Sequence, residues 1–169
     1  QPLLDAITSG AIKGIGAVVG CNNVKIQHDY GHVNLVKELI KQDVLVVTTG
    51  CNAIAAAKAG LLLPEAAEMA GEGLKGVCQA LGVPPVLHMG SCVDNTRILI
   101  ACSEMVRTGG LGDSIADLPV AGYSPRRGMS SPSIRARTKR TGGFGGWFQA
   151  GAGAYELVAI DHQTGKPRW

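Results

Sequence analysis

Three cysteines follow short apolar stretches of the chain in the same manner. Cys92 lies in PVLHMGSCVDN (residues 85–95), Cys21 in VVGCNN and Cys51 in VVTTGCNA. Each apolar stretch runs into a glycine and then the thiol, a pattern that predicts a sulfur between a strand and a helix, where backbone N–H groups converge and stabilise a thiolate. Thiolates brought together at such turns are soft ligands for zinc, nickel or the iron of iron–sulfur clusters. A single nucleophilic cysteine would not explain three such placements.

The other two cysteines, Cys78 and Cys102, occupy apolar stripes of predicted helices, which is typical of buried, inert thiols. The odd total of five argues against a disulfide framework. The sequence contains no CxxC pair, so it indicates neither a zinc ribbon nor a common ferredoxin site.

Among the histidines, His88 is the best site candidate, because it lies four residues before Cys92. It could act in the site or only orient the turn. His28 and His32 fall in a polar stretch, residues 22–32, that predicts a solvent-exposed loop. Asp94 and Asn95 suit the start of a helix and could also bond to groups around the site.

Apolar runs and amphipathic stretches alternate along the first 107 residues. Strands are predicted at residues 14–19, 44–47 and 86–87, and helices at residues 33–42, 52–60, 64–81 and 95–107. This order predicts an α/β fold with a three-layer, doubly wound parallel sheet of Rossmann-like type. In such sheets ligands bind at the carboxyl ends of the strands, so the three turn cysteines should converge there.

Composition divides the 169 residues near Pro119. Residues 1–119 hold eight Lys/Arg and eleven Asp/Glu, whereas residues 120–169 hold eight Lys/Arg and two Asp/Glu. We therefore predict an α/β domain over residues 1–120 and an irregular or disordered, basic, Gly-rich tail over residues 121–169. The sequence has no long apolar run and no signal pattern, which predicts a cytoplasmic protein without a membrane partner. Its start at Gln1 suggests a piece of something longer.

Several stretches together resemble one known family. They are VVGCNN, HDYGHVNLVKELIKQDVLVVTTGCNA, LLLPEAAEMAGEGLK and PPVLHMGSCVDNTRI. The chain is similar over roughly residues 1–120 to the C-terminal catalytic domain of anaerobic nickel–iron–sulfur carbon monoxide dehydrogenases, in the prismane-like family that includes hybrid-cluster proteins.

The resemblance implies oxidation of CO with water to CO2, two electrons and two protons, a reaction that also runs in reverse. It implies a Ni-4Fe-4S cluster as cofactor, further 4Fe-4S clusters, a ferredoxin-like electron acceptor and a homodimer. By this resemblance Cys21 and Cys51 ligate iron, and Cys92 ligates nickel. We predict that Cys92 and the nearby His88 are the catalytic residues.

The chain departs from the family pattern in three ways. The remaining cluster ligands of the family, one His and two Cys, lie upstream of this sequence. The position of a catalytic lysine, in a Met-Ser-Glu-Lys-Ala-like stretch of the family, is occupied here by Pro132. The rest of the tail does not resemble the family. We therefore expect the isolated chain to be inactive.

The tail admits three interpretations. Residues 126–140 are typical of a solvated disordered segment. They could instead contact nucleic acid, with Trp147 and Phe148 available for stacking, although the sequence as a whole makes nucleic acid an improbable partner. We favour an out-of-frame translation, because composition changes where the resemblance stops. The alternative function for the whole chain is a noncatalytic metal- or iron–sulfur-binding α/β module with a basic interaction tail.

Overall fold

A computed structural model describes residues 2–22, 27–109 and 111–123, together with the backbone of residues 146–149 and 158–161. Its centre is a four-stranded parallel sheet in the order β3-β2-β1-β4. The strands are β1 (Gly14–Val18), β2 (Val44–Thr48), β3 (Val86–His88) and β4 (Val120–Tyr123). Every residue of β1 and β2 is buried, as expected of central parallel strands covered by helices. The predicted α/β fold with a parallel sheet is confirmed.

Helix α1 (Pro2–Thr8) precedes the first strand. The helices between the strands are α2 (Tyr30–Lys41), α3 (Gly50–Lys58), α4 (Glu72–Leu81) and α5 (Thr96–Thr108). Helix α2 packs on β1 and β2. Its stripe of Leu35, Val36, Leu39 and Ile40 supplies the core beneath these strands, because residues spaced three and four apart lie on one helix face.

The prediction of one helix over residues 64–81 is wrong. A 3-10 helix, Pro64–Met69, ends before Gly71, and α4 then starts afresh. The side chain of Asp43 causes this break: its Oδ1 accepts the N–H of Leu74 at 3.0 Å, and a Cβ at residue 71 would lie 2.3 Å from that oxygen. Only glycine leaves room for the carboxylate, and the chain cannot run through the break as one helix.

The fourth strand was not predicted. Strand β4 pairs with β1 from Ile15↔Val120 to Val18↔Tyr123 and so continues the sheet across residue 120. Two features hide it from sequence analysis: it has only four residues, and it contains Ala121 and Gly122, which do not favour strands. The close approach of β4 to β1 also depends on Gly14, where a Cβ would lie 2.6 Å from the carbonyl oxygen of Pro119.

Two short segments of the predicted tail form an antiparallel pair, β5 (Gly146–Gln149) and β6 (Val158–Asp161). The rest of the tail beyond Tyr123, including residues 126–140 and Pro132, lies outside the described residues, so its predicted disorder and its out-of-frame origin stay predictions. Among the described residues, no helix is both long and apolar enough to cross a membrane.

Candidate metal centre

Three adjacent strands end at the same level of the sheet. Val18, Thr48 and His88 face one another across the ladder. Cys21 and Cys51 each follow this row by three residues, and Cys92 follows it by four. The parallel register therefore delivers all three thiols to the carboxyl edge of the sheet. Cys21 lies on a loop, Cys51 in the first turn of α3 and Cys92 at the start of a 3-10 helix. All three are exposed.

The pKa of the Cys51 thiol is raised. Its interaction with the Cys21 thiol is the largest cause, burial and the nearby Cys21 and Cys92 sulfurs add to it, and the backbone N–H of Asn22 opposes it. Repulsion from a thiolate on Cys21 or Cys92 disfavours a second negative charge beside it. A cationic centre among the sulfurs would remove this repulsion and release protons.

Gly50 sets the distance between the loops of Cys51 and Cys92. Its φ is +58°, and a Cβ there would lie 2.9 Å from the Cβ of Cys92. Its N–H also donates to the carbonyl oxygen of Gly90 at 3.2 Å. Glycine is required at residue 50 both for the left-handed backbone and for this close approach.

Two buried polar residues, Thr49 and Asn52, join the loops but were not recognised in the sequence. The Thr49 hydroxyl donates to Asn95 Oδ1 at 2.5 Å, which ties the end of β2 to the residue before α5. Asn52 Nδ2 donates to the Val18 carbonyl oxygen at 2.9 Å and to the Thr48 hydroxyl, so it bridges β1 and β2. The sequence could have indicated these two residues only by their closeness to Cys51. Polar residues after a strand are, however, also common in ordinary turns.

The donor set of the candidate site consists of three thiols, which are soft ligands. Within residues 2–22, 27–109 and 111–123, no three His, Cys, Asp or Glu side chains surround one metal position. Cys21, Cys51 and Cys92 nevertheless interact electrostatically, and Gly50 keeps a side chain from filling the space beside Cys92. Converging thiols with an open approach suit iron–sulfur or nickel ligation. Their roles as ligands stay a prediction.

The remaining site candidates occupy different environments. His88 ends β3 and is exposed, so it is available to the site, and its catalytic role stays a prediction. Asp94 accepts from the backbone N–H and the hydroxyl of Ser91, at 2.9 and 2.8 Å, which lowers the pKa of Asp94 and forms a capping box for the 3-10 helix Cys92–Asp94. Asn95 precedes α5, as predicted for the start of a helix.

The expectation that His32 lies in an exposed loop is wrong. Helix α2 begins at Tyr30, three residues before the predicted start, and carries His32 inward, where it is 5% exposed. Its Nε2 has no hydrogen-bond partner among the described residues. His28 is exposed, as expected.

Cys78 and Cys102 are buried on α4 and α5. Burial raises the pKa of both thiols. They lie apart from the site, in agreement with the interpretation of these two residues as packing cysteines.

Residues 3–130 match the model of the Prismane/CO dehydrogenase family. The chain is 73% identical over 124 residues to carbon monoxide dehydrogenase 1 of Methanosarcina mazei, a match that covers 73% of this chain and 19% of that protein. The chain therefore spans about a fifth of the length of the curated relatives that it matches.

Solved structures give the same result. Carbon monoxide dehydrogenase IV from Carboxydothermus hydrogenoformans is 55% identical, with a TM-score of 0.71 over 75% of this chain and 21% of that one. A structure of an acetyl-CoA synthase/carbon monoxide dehydrogenase, described as containing NiZn[Fe4S4] and NiNi[Fe4S4] clusters, is 41% identical, with a TM-score of 0.67 over 72% of this chain and 19% of that one.

Proposed function

This chain belongs to the Prismane/CO dehydrogenase family, and on that premise we propose that it forms one part of a carbon monoxide dehydrogenase. The complete enzyme oxidises CO with water to CO2, two electrons and two protons. The observation that carries the proposal is the convergence of Cys21, Cys51 and Cys92 on the carboxyl edge of the sheet.

In this proposal the three thiolates supply half of a ligand set for a nickel–iron–sulfur cluster. Cys21 and Cys51 hold iron, and Cys92 holds nickel. When bound, the cluster supplies the redox chemistry that removes two electrons from CO. The chain's own contribution is to hold three sulfurs at fixed separations through the β1–β2–β3 ladder and the Gly50–Gly90 contact.

His88 is proposed to move or orient protons beside the cluster, because it is exposed at the end of β3, four residues before Cys92. An imidazole can both accept and donate a proton and therefore suits a reaction that releases protons. The complete enzyme is further proposed to be a cytoplasmic homodimer that passes electrons to a ferredoxin-like acceptor. The isolated chain lacks half of the ligands and is proposed to be inactive.

Reconstitution tests the proposal. The chain is produced anaerobically with the upstream region of the M. mazei relative, then supplied with iron, sulfide and nickel, and CO-dependent reduction of a viologen dye is measured. Cys21→Ser and Cys51→Ser are expected to lose iron–sulfur absorbance. Cys92→Ser is expected to keep most of that absorbance but to lose nickel and activity.

Cys78→Ala is the matched control, because Cys78 is buried on α4 away from the edge of the sheet. It should retain both metals and the activity. Cluster binding without any CO-dependent dye reduction would favour the alternative, a noncatalytic metal-binding module. Retention of both metals in all three Ser variants would contradict the ligand assignment.

A further inference from the structure

We propose that Asp29 is a positioning residue for the Cys21 thiol and that it acts through Asn22, the neighbour of that cysteine. The inference rests on the proposed function, since the placement of Cys21 matters to the reaction only if Cys21 is a ligand. Its basis is a set of polar contacts that ties together the loops and helices around two of the three sulfurs.

The first contact is a reciprocal pair of hydrogen bonds. Asn22 Nδ2 donates to Asp29 Oδ1 at 2.8 Å, and the backbone N–H of Asp29 donates to Asn22 Oδ1 at 2.8 Å. Both ends of the Asn22 amide are therefore fixed by one residue. A side chain held at both ends loses most of its rotational freedom, so the backbone at residues 21 and 22 is held with it.

The second contact connects Asp29 to the helix that carries Cys51. Lys58 Nζ donates to Asp29 Oδ2, and Lys58 is the last residue of α3, whose first turn contains Cys51. His28 Nε2 lies 3.3 Å from Asp29 Oδ1 and 3.2 Å from Asn22 Nδ2. Asp29 thus joins the loop after β1, the start of α2 and the end of α3.

The carbonyl oxygen of Asp29 accepts the N–H of Val33 in α2 at 3.0 Å, but the side chain of Asp29 does not cap this helix. Asp29 is the N-cap residue of α2, a position where an aspartate side chain ordinarily accepts a hydrogen bond from the first turn. Here it makes no such bond, and its φ of 63° places it in the left-handed region. The carboxylate, only 15% exposed, is directed to Asn22 and Lys58 instead. The side-chain contacts of Asp29 therefore lie with Asn22 and Lys58 and not with the first turn of α2.

The contacts lead directly to the sulfurs. Asn22 follows Cys21 directly in the chain, and Cys21 interacts with the Cys51 thiol. Fixing Asn22 therefore restricts where Cys21 lies relative to Cys51. A pair of iron ligands needs such a fixed separation before a cluster binds, because first-shell groups work best when neighbouring residues orient them in advance.

The test measures thiol proximity in the metal-free, complete 169-residue chain. Diamide takes up the two thiol hydrogens as a disulfide forms, and peptide mass spectrometry follows the Cys21–Cys51 disulfide with time. Asp29→Ala is expected to slow this disulfide about tenfold, a size typical of losing a hydrogen bond to a charged group. Alkylation of Cys92 in the same chain is the internal reference and should stay within about twofold, since Cys92 lies on another loop.

Lys58→Ala is expected to give a smaller effect of about twofold, because Lys58 is largely exposed. Lys58→Arg should restore the parent rate. Lys37→Ala is the matched control, because it removes a lysine from α2 rather than from α3. It should leave the rate of Cys21–Cys51 disulfide formation unchanged.

An unchanged Cys21–Cys51 rate in Asp29→Ala overturns the proposal. If that variant exposes Cys78 to alkylation, and so has unfolded, Lys58→Ala decides instead, and an unchanged rate there overturns the proposal as well. No metal takes part in the measurement, so this outcome is distinguishable from failure of the cluster reconstitution.

Discussion

Cys78 and Cys102 have the same side chain as the three site cysteines but a different environment. Their relative exposures are 2% and 6%, and burial in apolar surroundings disfavours their thiolate forms. Reactivity follows thiolate character and access to solvent. The sequence predicted this division, because Cys78 and Cys102 belong to apolar helix stripes, whereas the other three cysteines follow predicted strands.

Thiol labelling checks this division. At pH 8, iodoacetamide is expected to modify Cys21, Cys51 and Cys92 of the native, metal-free chain at least about tenfold faster than Cys78 and Cys102. Peptide mass spectrometry at several times measures the five rates, and the same reaction in denaturant should make them similar. Rapid native labelling of Cys78 would contradict the buried position of α4's inner face.

His32 should make the stability of the protein depend on pH. Burial is the largest cause that lowers the pKa of His32 below its usual 6.5, while Asp29 opposes it and His28 adds to it. The unfolded chain therefore binds a proton at a higher pH than the folded chain does. The stabilising contribution is complete above pH 6.5 and is lost as the pH falls through the lower folded-state value.

We expect the free energy of unfolding, measured with urea at pH values between 7 and 5, to decrease toward acid, and we expect His32→Leu to flatten this dependence. His88→Ala is the control, because His88 is exposed and is not among the groups that shift the pKa of His32. An equally steep dependence in His32→Leu would show that another group is responsible.

At the scale of elements, the junction between β2 and α3 determines how closely the segments that carry Cys51 and Cys92 approach each other. Gly50 and Gly60 both have positive φ, +58° and +71°, at the start and just beyond the end of α3. They differ in their surroundings: a Cβ at Gly50 would meet Cys92, whereas a Cβ at Gly60 would meet nothing within 4 Å. The two positions therefore separate backbone strain from crowding.

Gly60→Ala is expected to destabilise the fold by about 1–2 kcal/mol through the left-handed backbone alone. Gly50→Ala should cost about 1–3 kcal/mol more, because Cys92 and its loop must move. Urea denaturation measures both, and labelling of Cys92 reports the displacement. Equal destabilisation by the two substitutions would mean that the loop of Cys92 adapts without cost.

Elements set by distant contacts were the ones that sequence analysis missed. Strand β2 was recognisable from its own residues, since a β-branched run suffices to indicate a buried strand. The break before α4 depends on Asp43, and the docking of β4 depends on Gly14. Such features involve partners more than 25 residues away, and no local pattern contains them.

At the scale of the whole molecule, the sequence predicted the parallel sheet and the edge to which the cysteines lead, and the structure has both. It did not predict the polar connections that fix the loops, namely Thr49 to Asn95, Asn52 to Val18 and Asn22 to Asp29. Hydrogen bonds of this kind need only a suitable donor and acceptor in space, and many sequence spacings provide that.

Val18, Thr48 and His88 lie side by side at the ends of three neighbouring strands, and this alignment restricts where residues can be inserted into the chain. Each residue of a strand advances about 3.3 Å, and the loops from this row to the sulfurs have too few residues to absorb an added one. Insertions should therefore be tolerated at the amino ends of the strands, for example between Pro84 and Pro85, and not between His88 and Cys92.

A glycine inserted at each place tests this expectation. Both variants should unfold at similar urea concentrations, but only the insertion after Met89 should alter the labelling rate of Cys92 and abolish nickel uptake in the reconstituted complex. Equal effects of the two insertions would mean that the loop, rather than the ladder, sets the reach of the thiol. Within the family, the segments from this row to the three thiols are then expected to keep their lengths.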